Sequence, residues 1–137
     1  MTPVAIGTAA AAAAARRERR IRLYLWNLAL LGTHEIDSAF WREWDLFRMP
    51  WLGIQGFLVF NLAVLAIALA GFRRVVEDAP GARGFVLLLA GAGIFAAVVH
   101  SAFILAGFQE FTLPTSLGLL AAGLVLSIGQ LRLELGR

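Results

Sequence analysis

Four apolar stretches divide the chain and are separated by short polar segments. They cover residues 21–40, 51–72, 85–107 and 113–133. Each is close to the ~20 residues that an α-helix needs to cross a hydrocarbon core of ~30 Å. The pattern therefore predicts an all-α protein, a four-helix transmembrane bundle formed by residues 21–137.

The linkers between these predicted spans are short. Residues 78–81, with the sequence Asp-Ala-Pro-Gly, are typical of a turn between the second and third spans. Helices joined by short loops pack as antiparallel neighbours, so the bundle is expected to run up-down-up-down. In the first linker, Trp41, Trp44 and Phe47 recur every three residues among charged side chains. This spacing predicts a short amphipathic helix at the membrane interface.

Residues 1–20 precede the first span and differ from it in composition. Seven consecutive alanines, residues 9–15, are followed by the basic run Arg-Arg-Glu-Arg-Arg at residues 16–20. A secretory signal places its positive charge before its apolar core, and here that order is reversed. We therefore expect residues 1–20 to be a flexible cytoplasmic tail.

Arginine is distributed unevenly between the two ends of the predicted spans. Five arginines lie at or before the start of the first span and three follow the second, whereas only Arg42 and Arg48 mark the opposite side. Cytoplasmic loops carry an excess of basic residues, so both termini are expected in the cytoplasm. Tryptophans gather at the opposite boundary, where they are expected to anchor the bundle in the interface: Trp41, Trp44 and Trp51.

Composition also indicates a membrane protein. Of the 137 residues, 60% are hydrophobic and 15% are charged, and the mean hydropathy is +0.78. The lipid bilayer is therefore the expected partner, and a homo-oligomer or a complex with another membrane protein is compatible with it. A formal charge of +3 is too small to indicate nucleic acid. Because the chain has no cysteine, it forms neither a disulfide nor a thiolate metal site.

One polar block interrupts this apolar chain. Residues 34–47, with the sequence HEIDSAFWREWDLF, contain one of the two histidines and four of the nine acidic residues. Ionisable side chains at membrane depth are costly and rare, and they commonly mark a functional site. The block therefore predicts a functional site at the outer end of the first span.

The two histidines lie at the same predicted depth. At ~1.5 Å per residue, His34 lies ~20 Å and His100 ~22 Å above the starts of two spans that run in the same direction. Asp37 is three residues from His34 and can address the same point, whereas Glu35 reaches a neighbouring one. Imidazole and carboxylate groups are the ligands of zinc, iron or manganese in a cysteine-free site. The sequence thus predicts a divalent metal bound by His34, Glu35, Asp37 and His100, and two facing histidines would alternatively suit a haem.

Further polar residues surround this cluster. All four predicted spans offer a polar side chain in the outer third of the bilayer, and one amide lies deeper, near the midplane. These positions predict a cavity that opens outward, with two glutamates at its mouth. Hydrogen bonds between helices are the alternative role for these groups. The expected supporting and cavity residues are Ser38, Gln55, Asn61, Ser116, Glu43 and Glu110.

Several functions fit these features. A metal-dependent site covers either an enzyme acting on a lipid or small apolar molecule or a metal-binding module. A structural or accessory membrane protein would use the polar residues only to hold the bundle together. A small transporter and a haem-bearing electron carrier are further alternatives. The sequence has no HExxH, phosphate-loop or dinucleotide motif, so it leaves open whether the protein is an enzyme.

A signature extends from the polar block into the second span: His34-Glu35-Ile36-Asp37, Phe40-Trp41, Glu43-Trp44 and then Gly53-Ile54-Gln55-Gly56-Phe57. It resembles that of an uncharacterised family of small bacterial four-span membrane proteins. The resemblance covers nearly the whole chain after the tail, and it implies a multi-pass protein of the bacterial cytoplasmic membrane. It implies no reaction, substrate or catalytic residue, because that family has no established activity.

Overall fold

The computed structural model of the protein describes residues 3–136, with side chains from residue 7 onward. Within that range the chain is helical and has no strand, which confirms the all-α prediction. The helices are α1 (Pro3–Phe40), α2 (Glu43–Leu46), α3 (Gly53–Val76), α4 (Ala82–Leu105) and α5 (Pro114–Leu135).

Three of these helices are long and apolar enough to cross a membrane. Helices α3, α4 and α5 have 24, 24 and 22 residues, and the most apolar 18-residue segment of each has a mean hydropathy of 2.1, 2.1 and 1.6. These lengths and hydropathies indicate a multi-pass membrane protein. Among the described residues, α1 is long enough but its mean hydropathy is too low for it to be counted with them. The reason is that polar side chains such as Asn27, His34 and Asp37 interrupt its apolar second half. Apolar length alone therefore supports three spans, one fewer than expected.

Helix α1 is longer than the span predicted for it. It begins at Pro3, so residues 3–20, which were expected to form a tail, are the first part of a continuous helix. Alanine has the highest helix propensity, and this explains why residues 9–15 are helical although their side chains are exposed. The flexibility of this segment stays a prediction.

The linker between α1 and α3 is compact. It contains α2, a single helical turn, where the sequence predicts a short amphipathic helix. Arg42 separates α1 from α2 in the left-handed conformation, with φ of 55°. This tight turn brings α2 back over the end of the bundle, and it positions Glu43 and Trp44 against the other helices.

Polar side chains join α1 to α5 along most of the length of α5. Each pair consists of a residue of α1 and a residue of α5 in direct hydrogen-bond contact. The pairs are Arg20 and Glu134 (2.6 Å), Asn27 and Ser127 (3.0 Å), and Asp37 and Ser116 (3.0 Å). Hydrogen bonds at both ends of α5 and near its middle therefore hold it against residues 20–37 of α1.

Helix α3 packs against α1 and α4 close to the α3–α4 turn and against α2 at its opposite end. Close to the α3–α4 turn, Val75 packs in a buried cluster with Tyr24 of α1 and Val86 of α4. At the opposite end, Phe57 lies beside Trp44 of α2, with ring centroids 5.2 Å apart. In the most apolar 18-residue segment of α3, only 6% of the residues are buried, whereas the share is 28% in the corresponding segments of α4 and α5. The middle of α3 therefore stands apart from the rest of the bundle.

Gly71 permits the close approach in the buried cluster near the α3–α4 turn. A Cβ at this position would lie 2.5 Å from the ring of Phe85 and against the hydroxyl of Tyr24. We expect Gly71→Ala to lower the free energy of unfolding by about 1–3 kcal/mol, because an overpacked core must shift its side chains. Thermal unfolding of the purified protein in detergent measures the change.

Gly91→Ala is the matched control for this substitution. A Cβ at Gly91, in the middle of α4, would meet nothing within 4 Å. Alanine favours the helix over glycine, so this variant should be at least as stable as the wild type. Equal unfolding temperatures of the two variants would contradict the packing described at Gly71.

Candidate functional site

The two histidines of the chain face each other between α1 and α4. His34 Nε2 lies 3.1 Å from His100 Nε2, and the imidazole centroids are 4.8 Å apart in a T-shaped arrangement. Both side chains are buried, with 3% and 1% of their surface exposed. A hydrogen bond of this kind requires a proton on one Nε2 and a lone pair on the other.

Glu43, at the start of α2, joins the histidine pair. Its Oε1 lies 3.2 Å from the same His100 Nε2 that contacts His34. Burial, the largest single effect, would raise the pKa of Glu43, but the hydrogen bonds from His100 and Ser38 and the nearby histidines together outweigh it, and the pKa lies below its ordinary value. A carboxylate that is ionised at neutral pH only accepts hydrogen bonds, so the shared proton belongs to His100 Nε2. We name His34, His100 and Glu43 the histidine–glutamate cluster.

The ring nitrogens on the far side of this cluster lack partners. His34 Nδ1 and His100 Nδ1 are buried, and neither has a hydrogen-bond partner among the described residues. Buried polar atoms are normally paired, and an unpaired one costs about 1–3 kcal/mol. The cluster therefore keeps two unpaired polar atoms in the interior of the bundle.

Phe111 covers the histidine pair from the linker between α4 and α5. Its ring centroid lies 4.0 Å from that of His100 and 5.6 Å from that of His34, and the side chain is fully buried. Its φ of 62° is uncommon for a residue other than glycine and is unfavourable for a bulky side chain. Nothing in the local sequence indicates this contact, because it depends on how the linker folds back over the bundle.

Asp37 belongs to a separate group. Ser116 Oγ donates to Asp37 Oδ1 over 3.0 Å and lies 3.5 Å from Trp41 Nε1. The second carboxylate oxygen, Oδ2, is buried and has no partner among the described residues. Asp37 thus binds α1 to α5 instead of joining the histidine–glutamate cluster, and Glu43 takes the position at the histidines for which Asp37 was predicted.

A cavity of about 630 Å³ opens beside the histidine–glutamate cluster, between α1, α3 and α4. This volume lies within the range of about 300–1,000 Å³ that is typical of sites for small organic molecules. Trp44, Phe47 and Met49 line the cavity at the α2 end, and Ala68 lines it toward the other end. Its wall is almost entirely apolar, and its few polar lining residues are His34, Glu35, Glu43, Asn61 and His100.

The predicted metal site is not supported. No group of three or more His, Asp and Glu side chains in residues 3–136 could hold a metal ion. A metal-bound histidine normally donates its second ring N–H to a carboxylate or a carbonyl, and here neither Nδ1 has such a partner. Two ring nitrogens 3.1 Å apart also leave no room for a haem between them.

The remaining predicted residues are divided between the cavity and the surface. Asn61 lines the cavity and donates to a carbonyl of its own helix over 3.1 Å. Trp44, predicted as an interface anchor, is instead buried and lines the cavity. Trp51 and Gln55 are exposed, Glu110 is half-buried, and none of these three lines the cavity.

A second polar group was missed in the sequence. Asn27 donates to Ser127 and to Gln130, and Glu134 receives two hydrogen bonds from Arg20. The side chains of Asn27, Ser127, Gln130 and Glu134 are 0% exposed. The three α5 residues are spaced by three and four positions, which places them on one helix face. That spacing was the available signal for a polar contact between α5 and another helix.

Treatment with a chelator tests whether the histidine–glutamate cluster binds a metal ion. We expect a strong chelator to leave the unfolding temperature of the purified protein unchanged, because only a bound ion adds ligand-dependent stability. His34→Ala should lower the unfolding temperature equally with and without chelator, since it leaves His100 with fewer partners in the interior. A chelator-induced decrease that is seen in the wild type and absent in His34→Ala would restore the metal site.

Comparison with known proteins identifies a family. No curated protein and no solved structure matches the chain. The model of a family of unknown function, DUF6713, matches residues 20–137. The match includes the histidine–glutamate cluster, the cavity and helices α2 to α5 in full, and it confirms the expected relation to an uncharacterised family. The chain therefore belongs to the family of unknown function DUF6713.

Proposed function

We propose that this protein is a four-span membrane protein that takes an apolar or amphiphilic molecule from the bilayer into the cavity between α1, α3 and α4. The observation that carries the proposal is the cavity, with an apolar wall and the histidine–glutamate cluster at one end. Lipid tails are as apolar as that wall. Selection among membrane molecules therefore depends on the polar end and on the shape of the cavity.

The burial of the polar residues of α1 supports a fourth span. Asn27, His34 and Ser38 lower the hydropathy of this helix, yet they are at most 3% exposed. Ionisable and polar residues of transmembrane helices normally face the protein interior in this way. Within residues 23–40, the large side chains that α1 exposes are apolar: Leu25, Trp26, Ile36 and Phe40. A lipid environment fits this helix despite its composition.

The order of the paired positions supports an antiparallel bundle. Along α1 from Arg20 to Asp37, the hydrogen-bonded partners on α5 run backward from Glu134 to Ser116. Helices α3 and α4 follow each other through a turn of five residues, 77–81. Short connections of this kind favour antiparallel neighbours, so we infer an up-down-up-down arrangement.

Contacts of the arginines support the cytoplasmic position of both termini. Arg16 donates to a carbonyl near the end of α5, Arg17 to the last carbonyl of α3, and Arg20 to Asp78 in the turn that follows. The arginine-rich ends of these helices thus meet at one end of the bundle, where the positive-inside bias acts. The histidine–glutamate cluster then lies toward the outer face of a bacterial cytoplasmic membrane.

Single cysteines test this topology, because the chain has none of its own. Cysteines at Thr2 and Gly136 should resist a membrane-impermeant thiol reagent in intact cells, whereas one at Arg48 should react, as the arginine distribution requires. A cysteine at Glu77, exposed in the turn after α3, serves as an internal control and should also resist. Labelling at Gly136 together with protection at Arg48 would reverse the proposed orientation.

A structural or accessory role is a second candidate, and the polar contacts between α1 and α5 favour it. Asn27, Ser127 and Gln130 are fully buried and line no part of the cavity. Hydrogen bonds between transmembrane helices contribute about 0.6 kcal/mol each on average, so such contacts help to hold a bundle together. They do not explain why the space beside α3 remains unfilled.

Trp44 provides a direct readout of the cavity, because it lines the wall and is only 5% exposed. The other three tryptophans are replaced by phenylalanine, and a bromoalkane serves as the probe. A probe bound in the cavity should quench Trp44 emission saturably. Ala92→Phe should abolish this quenching, because Ala92 lines the cavity and a phenyl ring there would project into the space that the probe occupies.

Ala102→Phe is the matched control, since Ala102 lies on the same helix, is exposed, and does not line the cavity. It should retain saturable quenching, and both proteins should unfold at similar temperatures. If Ala92→Phe and Ala102→Phe are quenched alike, the cavity does not bind the probe, and the structural role becomes the better explanation of the fold.

A further inference from the structure

The charge and the hydrogen-bonding groups at the polar end of the cavity determine which head group its ligand can have. We propose that the cavity accepts a single-chain amphiphile whose head group donates hydrogen bonds and has no negative charge, an amine or a hydroxyl. Anionic head groups are rejected. This ligand class rests on the proposed function, since it concerns the occupant of the same cavity.

Glu43 supplies the negative charge at the polar end of the cavity. It lines the cavity together with Glu35 and two histidines, and no arginine is among the described residues that line it. Arg42, next to Glu43 in the chain, is exposed and paired with Asp45 over 2.9 Å. Like charges placed together in a medium of low dielectric repel strongly. A carboxylate or phosphate head would therefore be repelled by Glu43, and no arginine of the lining would bind it.

Glu43 supplies acceptor capacity for a donating head group. Its side chain lines the cavity and is 14% exposed, whereas that of His100 is 1% exposed. A carboxylate has about four lone-pair positions, and the contact with His100 Nε2 over 3.2 Å uses one of them. A hydroxyl or ammonium head that donates to another of these positions forms a charge-assisted hydrogen bond.

The dimensions of the cavity fit one hydrocarbon chain. On α3 its lining runs from Phe57 to Ala68, which is about 16 Å at 1.5 Å per residue and roughly half of a ~30 Å hydrocarbon core. This length matches that of one hydrocarbon chain in a single leaflet.

Competition for the bromoalkane site measures the head-group preference. Tetradecylamine, tetradecanol and tetradecanoate are titrated at neutral pH into the protein that retains only Trp44, held in a bilayer of uncharged lipids. The recovery of Trp44 emission reports displacement, and Ala92→Phe gives the background from the bilayer. We expect the amine and the alcohol to displace the probe at concentrations at least about tenfold lower than the carboxylate.

Two variants test the origin of this preference. Glu43→Gln removes one carboxylate charge while keeping the shape of the side chain, so it should narrow the difference between amine and carboxylate. Asp45→Asn is the matched control, because Asp45 lies on the same helical turn, is exposed and does not line the cavity. It should leave the preference unchanged.

The outcomes separate the two proposals. Equal displacement by all three head groups, or a preference for the carboxylate, would overturn the head-group proposal while saturable quenching by the bromoalkane leaves the proposed function standing. A change of preference in Asp45→Asn as large as in Glu43→Gln would also overturn it. If the bromoalkane shows no saturable quenching that Ala92→Phe abolishes, both the proposed function and the head-group preference fail.

Discussion

The polar side chains of α1 must find hydrogen bonds inside the protein, because an apolar surrounding offers none and an unpaired buried group is costly. Asn27 and Asp37 find them on α5, and His34 finds one on α4. These contacts set the rotation of α1 about its axis and bring α4 and α5 against it. The position of the histidine–glutamate cluster follows from that arrangement.

Helix α3 is joined to α1 toward one end, where Arg17 donates to the carbonyl of Val76 and the hydroxyl of Tyr24 donates to that of Ala68 over 2.9 Å. In the middle of α3, Asn61 donates to the carbonyl of Phe57 on its own helix over 3.1 Å, and its side chain also interacts with Glu35 of α1. Packing holds α3 near Val75 at one end and at Phe57 at the other. His34 and Glu35 of α1 both line the space between these contacts. An apolar cavity with a polar end thus lies between the two ends at which α3 packs against its neighbours.

The helices could be predicted from the sequence because apolar length is a local property. Helix α1 shows the limit of that signal, since its polar residues lower the hydropathy of the segment and their burial is visible only in the folded bundle. The partners of the histidines depended on more than helical spacing. Asp37 shares a face with His34 in an ideal helix, yet Ser116 of α5 binds it. Glu43 reaches the histidines only because the chain turns sharply at Arg42.

The most direct test is to identify which molecule stays bound when the protein is extracted from its own membrane. Native mass spectrometry of the wild type, purified in a mild detergent, should reveal one bound single-chain amphiphile without an anionic head group. The same added mass should be present in Ala102→Phe and absent from Ala92→Phe. A wild-type protein that carries no bound molecule, or one that carries the same molecules as Ala92→Phe, would contradict the assignment of the cavity as a ligand site.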